Sequence, residues 1–132
     1  MMIASELRDG PVIELRLLWP PSVNSIWRNV VVNKRPRTLL SKAGRDWFAI
    51  AAGQVMQQRA GVRILGRAAV DLTLHAPDRR AIDIDNRAKA VLDALTKGGL
   101  WHDDGQADVL TVRRAEVMRG GLAVVRVQEI GV

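Results

Sequence analysis

Apolar residues in this chain switch between two spacings, every second residue and every third or fourth, and that switching most constrains the fold. Residues 12–19 alternate: Ile13, Leu15, Leu17 and Trp19 fall on one side, Glu14, Arg16 and Leu18 on the other, which is strand period. Pro20-Pro21 ends the run, because proline cannot donate to a ladder. The basic, turn-marked stretch 28–37 (RNVVVNKRPR) reads as an exposed loop or short ribbon. From Ser41, a suitable N-cap, the spacing changes to helical: Trp47, Phe48, Ala51, Ala52 and Val55 form a stripe running to a stop at Gly61. Residues 68–75 return to strand period with Val70, Leu72 and Leu74 on one face. A second helix begins at Asp85 or Asn86 and runs to Lys97, with Ala88, Val91, Leu92 and Leu95 as its stripe and Gly98-Gly99 as its stop. Two further strands, 109–118 and 122–130, are separated by Arg119-Gly120-Gly121, which predicts a hairpin.

The order β-α-β-α-β-β predicts an α/β (α+β) layered arrangement, a mixed sheet packed by two helices. No repeat, low-complexity tract or linker divides the chain, so 1–132 is expected to form a single domain. At 132 residues, 48% of them apolar, it can bury a real core. No apolar run approaches a membrane span, and the opening MMIASELRDG lacks a signal-peptide core, so a soluble cytoplasmic protein with no membrane partner is expected. The four tryptophans are expected to be packing residues.

Charge narrows the function. The chain carries +6 net, and 16 of its 20 basic residues are arginine, whose planar donor fork suits phosphate. That balance favours a polyanionic partner, nucleic acid foremost, although many small basic proteins simply carry solvated arginines. Residues 71–108 run against the trend, holding eight aspartates against five Lys or Arg, so that this window is −3 and the rest +9. With no cysteine and two histidines, thiolate and His-rich metal sites are excluded, and any metal site must be built from oxygen.

The densest part of the acidic window is PDRRAIDIDN (77–86). In extended backbone Asp83 and Asp85 would project to the same side, an arrangement that needs a cation or a proton to offset repulsion. Magnesium, a hard cation that prefers oxygen donors, answers that need. Ile84 would point the other way, into the core. Lys89 lies one helical turn after Asp85, where it could pair with that carboxylate, touch a phosphate or help orient a water. The same residues also suit a structural role, with Asp85 or Asn86 as helix cap and Lys89 as a helical ion-pair partner. Beyond the helix, Trp101-His102-Asp103-Asp104 supplies two more carboxylates, between which spacing alone does not choose, and His102 reads as a solvated loop residue.

Taken together, LLWPPSVN (17–24) and PDRRAIDIDNRAKAVLDALTKGGLWHDDGQ (77–106) closely resemble the RusA-type Holliday junction resolvases (crossover junction endodeoxyribonucleases), small magnesium-dependent enzymes often carried by phages and prophages. DxDN, the lysine on the next turn, DALTK and GxW-x-DD-x-Q occur in that order, a far more specific signal than any one of them. The resemblance implies that Asp83, Asp85 and Asp104 are metal-binding catalytic aspartates, with Asp103, the neighbouring acid, as a further metal-binding residue and Lys89 the catalytic lysine. It implies Mg²⁺ as cofactor, four-way branched DNA as partner, and a homodimer that nicks two strands symmetrically to leave 5′-phosphate and 3′-hydroxyl ends. Arg79, Arg80, Asn86, Asn24 and the basic stretch Lys34, Arg35 and Arg37 are the DNA-contact candidates. The chain departs from the family at Arg87, where an apolar residue is usual, and at Ala81 and Ile82, which stand where the best-known member has arginines. Two other functions compete: a non-catalytic basic DNA-binding protein, and a nuclease for other branched DNA.

Overall fold

A computed structural model describes residue 10 and residues 12–131. Strand β1 (Val12–Leu17) leads through the two prolines to a short helix α1 (Val23–Ile26). Strands β2 (Trp27–Val32) and β3 (Arg35–Leu40) follow, then helix α2 (Lys42–Gln58), strand β4 (Arg67–His75) and helix α3 (Ile84–Lys97). A 3₁₀ turn at Asp104–Gln106 precedes strands β5 (Ala107–Arg114) and β6 (Leu122–Gly131). The four-stranded sheet has the order β1-β6-β4-β5 and is mixed: β4 pairs parallel with β5 across helix α3, while β6 runs antiparallel to both β1 and β4. The expected mixed sheet and its two packing helices are therefore present, with α1 in addition.

The 28–37 stretch takes the ribbon form of its two expected alternatives, a separate antiparallel pair with Trp27 opposite Leu40 and Val32 opposite Arg35. Asn33 and Lys34 form its two-residue turn with φ of 51° and 64°, the left-handed pair that a tight hairpin of this twist requires. The pairing of the last two strands differs from the sequence reading. They are not a hairpin, because β4 lies between them. After β5 the chain stays bonded to the end of β4, Ala115 N–H donating to Leu74 O (3.0 Å) and Met118 N–H to Ala76 O (3.0 Å). Only then do Gly120 and Gly121, both at positive φ, turn it into β6. The double glycine marks a turn correctly, but one that carries the chain across a strand end.

The core lies between one sheet face and the two helices. Leu15 and Leu17 of β1, Val70, Leu72 and Leu74 of β4, and Val125 and Val127 of β6 are fully or almost fully buried. Trp47, Phe48, Ala51 and Val55 of α2 and Ala88, Val91, Ala94 and Leu95 of α3 cover them. Ser41 caps α2 as its sequence position suggests, its hydroxyl accepting from Gly44 N–H at 2.9 Å. The end of α3 lies close against α2 at Gly98, where a Cβ would come within 2.4 Å of Val55 Cβ; glycine there serves that contact as well as the stop. Among the described residues no helix is long and apolar enough to cross a membrane.

Candidate active site

The acidic segment owes its shape to the loop that precedes α3. Asp78 accepts from the backbone N–H of Arg80 (3.0 Å) and from its guanidinium (2.7 Å), and Arg80 thereby holds the Asp78 carboxyl below the ordinary carboxylate range. Arg114, at the end of β5, donates to the carbonyls of Asp78 and Arg80, each at 2.8 Å, and so ties the loop to the sheet. Arg80 is thus committed in part to its own loop. Arg79 beside it is exposed and has no hydrogen-bond or ion-pair partner among the described residues.

Asp83 is the N-cap of α3, extended at φ −89° and ψ 109°, whereas Asp85 already lies in the first helical turn. The two carboxylates therefore do not share an extended strand, and the expected cap at Asp85 or Asn86 moves back to Asp83. Ile84 does pack against the core, as its position between them suggests. Asp83 makes no capping bond with its side chain but accepts from Asn86 Nδ2 at 3.3 Å, so Asn86 steadies a carboxylate. Asp85 is exposed and, among the described residues, makes no ion pair. A negative group in that first turn is favoured by the positive end of the helix dipole.

Lys89 is where the two acidic stretches meet. Its Nζ donates to Asp104 Oδ2 at 2.9 Å and to Asp93 Oδ1 at 2.9 Å, rather than to Asp85. The hydrogen bond to Asp104, followed by that to Asp93, raises the Lys89 pKa above the ordinary lysine value and keeps the ammonium charged. Asp93, one turn further along α3, is in sequence an acid without an assigned role; its i,i+4 spacing from Lys89 is the signal that could have found it.

Asp104 reaches Lys89 because the segment after α3 is pinned at several points. Trp101 is buried and its Nε1 donates to Thr96 Oγ1 at 2.7 Å. Asp103 caps the 3₁₀ turn, its carboxylate accepting from Gly105 N–H (3.1 Å), while Gln106 Oε1 accepts from the N–H groups of His102 and Asp103. Gln106 Nε2 also donates to the carbonyls of Ile64 and Gly66, both at 3.0 Å, fastening the turn to the loop before β4. Trp101, Asp103 and Gln106 thus shape the turn, and Asp104 projects from it.

Arg87 is a clamp. Its guanidinium donates to the carbonyl of Pro20 and lies 5.1 Å from the centre of the Trp19 ring, joining α3 to the turn after β1. Burial pushes its pKa down. Trp19 packs against the core as expected, and Trp47 and Trp101 are buried. Trp27 is not: it is 43% exposed, against the expectation that it would pack. It faces, with Leu40 and Phe48, an open cleft of about 390 Å³ whose other wall includes Lys89, Asp93, Asp103 and Asp104. Lys34, Arg35 and Arg37 are exposed on the ribbon, and Asn24 on α1.

The donor set can be tested against a divalent cation. Asp83, Asp85 and Asp104 offer hard carboxylate oxygens at the surface, and the partners of Asp83 and Asp85 are weak or lacking among the described residues, so the donor chemistry suits a hard divalent cation. The geometry is half-built. Among the described residues no group of three or more acidic or histidine side chains stands close enough to hold an ion, and the Asp104 carboxylate is bonded to Lys89 instead.

The fold thus sets surface carboxylates and Lys89 beside an open cleft on a chain of net charge +6. Residues 19–128 match the family model described as endodeoxyribonuclease RusA. The chain is 33% identical over 117 residues to the crossover junction endodeoxyribonuclease RusA of Escherichia coli (strain K12), covering 89% of this chain and 94% of the relative. The corresponding proteins of Enterobacteria phage 82 and Shigella sonnei (strain Ss046) are 33% and 32% identical over the same shares. The chain belongs to the RusA endodeoxyribonuclease family, and it is a nuclease by class.

Proposed function

We propose that this protein resolves four-way DNA junctions, as a magnesium-dependent homodimer that nicks two symmetry-related strands. The observation that carries the reading is the Lys89 bridge, which brings the carboxylate of the DD motif onto the helix headed by the DxD motif. Carboxylates on two neighbouring segments gain a passive polyanion binder nothing, whereas a metal-dependent phosphodiester hydrolase needs them to hold its cation. The relatives' names, crossover junction endodeoxyribonucleases, supply the substrate class.

Asp83, Asp85 and Asp104 would hold the cation, which supplies Lewis acidity at the phosphodiester and lowers the pKa of an attacking water. For Asp104 to serve, Lys89 must release it. Asp93 then keeps Lys89 at the cleft, where its ammonium offsets charge growing on the non-bridging phosphate oxygens. Asp103, whose carboxylate is engaged with Gly105 N–H, orients Asp104 by holding the turn. Hydrolysis leaves 5′-phosphate and 3′-hydroxyl ends. Arg79, with Lys34, Arg35 and Arg37 on the ribbon, supports contacts to the DNA backbone, which position without reading sequence; Asn24 and the remaining donors of Arg80 extend that surface. Dimerisation follows from the substrate: one site per chain, two nicks per junction, related by a two-fold axis. Such an enzyme would work in the cytoplasm, beside its DNA.

A panel of four-way, three-way and linear DNA of shared sequence, incubated with and without Mg²⁺, tests the reading. Paired nicks near the crossover of the four-way substrate, only with the cation, are expected. Binding without cleavage under all conditions would instead favour the non-catalytic alternative, and equal cleavage of three-way DNA the broader branched-DNA nuclease.

A further inference from the structure

We propose that Trp27 is a nucleobase platform, stacking on a base that has left the helical stack next to the phosphate addressed by Lys89 and Asp104. The inference rests on the nuclease reading and adds to it the part of the substrate that the acidic wall cannot recognise.

Exposure singles out Trp27. Trp47 and Trp101 are 6% and 1% exposed, and Trp19 lies against Arg87 and the core, yet Trp27 leaves 43% of its surface open. It does so on the cleft that Lys89 and Asp104 line: Leu40, its cross-strand partner, and Phe48 add apolar surface, while Lys89, Lys97, Thr96, Asp93, Asp103 and Asp104 supply the polar groups. At about 390 Å³ the cleft falls within the roughly 300–1,000 Å³ range of pockets that take one compact organic group. A ligand that joins an anion for Lys89 and Lys97 to a flat apolar ring for Trp27 suits that mixed lining, and a nucleotide unit is such a ligand.

The backbone leading into Trp27 is anchored. The residue begins β2 at the root of the ribbon, where Ser41 N–H donates to Ile26 O at 2.7 Å and the Ser41 hydroxyl to Ser25 O at 2.6 Å. Gly44 brings α2 so close to the same point that a Cβ there would sit 2.6 Å from Ile26 O. The root of the ribbon is thus fastened to α1 and α2, so the backbone that carries the indole needs little ordering on binding. In intact duplex both faces of each base are covered by neighbours. Only where strands cross, fray or kink does a base offer a face to an indole, so the platform would select branched over linear DNA without reading sequence.

Equilibrium binding in the absence of divalent cation tests this on its own, apart from cleavage. Trp27→Ala should weaken four-way junction binding by roughly 5- to 150-fold, the range for loss of one aromatic–base stack. Linear duplex binding should stay unchanged, and Trp27→Phe should keep most of the preference. Trp27→Leu preserves apolar bulk at the ribbon root but has no aromatic face; it should behave like the alanine variant and serves where that variant does not fold. A 2-aminopurine placed at the strand-exchange point should be quenched by the wild-type protein and by Trp27→Phe, and not by Trp27→Leu. Equal loss on junction and duplex, or quenching that ignores residue 27, would overturn the proposal. Wild-type protein that binds and nicks junctions while Trp27→Leu matches it would sink the platform alone; wild-type protein that binds no branched DNA would sink the functional reading as well.

Discussion

Replacing Lys89 by methionine separates the structural and chemical roles of that residue. The Lys89 side chain is 58% exposed and those of Asp93 and Asp104 are 30% exposed, so its two ion pairs are surface-like. Pairs of this kind contribute about 0.2–1 kcal/mol each. The stability loss should therefore be about 1 kcal/mol, or a fall in Tm of about 3–5 °C for a chain of this size. Because both carboxylates raise the lysine pKa, the contribution is fully present below the unfolded lysine value, about 10.4, and is lost as pH rises through the higher folded value. The Tm difference between wild type and variant should stay level near neutrality and close only in strong alkali. Single-turnover nicking should fall much further, by roughly 10²–10³-fold, the effect of losing one donor to transition-state charge. Calorimetric titration should show the divalent cation bound more tightly, since Asp104 has lost its competing ammonium. An unchanged nicking rate, or weaker cation binding, would refute the reasoning.

Arg87→Met removes a charged donor to the Pro20 carbonyl and the cation over Trp19, and should cost about 1.5–3 kcal/mol in denaturant unfolding, with loss of duplex and junction binding no greater than the unfolded fraction explains. Gly98→Ala forces a methyl against Val55 and the Ala52 carbonyl, and should destabilise by about 1–3 kcal/mol, read as a lower urea midpoint at unchanged slope. Asp78→Asn loosens the loop before α3: since Arg80 lowers the Asp78 pKa, its contribution is present above the unfolded carboxyl value, about 3.9, and lost as pH falls through the lower folded one. That variant should melt earlier than wild type at neutral pH and alike in strong acid.

Elements whose residues announce themselves by period were legible in the sequence. β1, β4, α2 and α3 appear where alternation or helical stripes place them, and Ser41 caps where its type and position suggest. Pairing partners were not legible, because a strand's period records which face is buried and carries no record of its neighbour. The Gly120-Gly121 turn illustrates the difference: its backbone geometry was readable, but only the bonds from Ala115 and Met118 to the end of β4 show that the chain crosses a strand before turning. At the site, the motif residues were identifiable by type and order. Their connections were not, because Lys89 chooses between Asp85, Asp93 and Asp104 through the position of a turn fixed by Trp101, Gln106 and the 64–66 loop. Trp27 escaped because a tryptophan on a short segment looks the same in sequence whether it meets the core or a cleft.

The central claim is that carboxylates on two separate segments act as one cation site on a DNA phosphate. Asp83→Asn and Asp104→Asn, assayed side by side on a four-way junction with Mg²⁺, test it most directly. Each neutralises one donor with little change in size, and neither Asp83 nor Asp104 belongs to the core. Nicking should be abolished in both variants while junction binding measured without cation persists. Retained nicking by either variant, with the fold intact, would contradict the account.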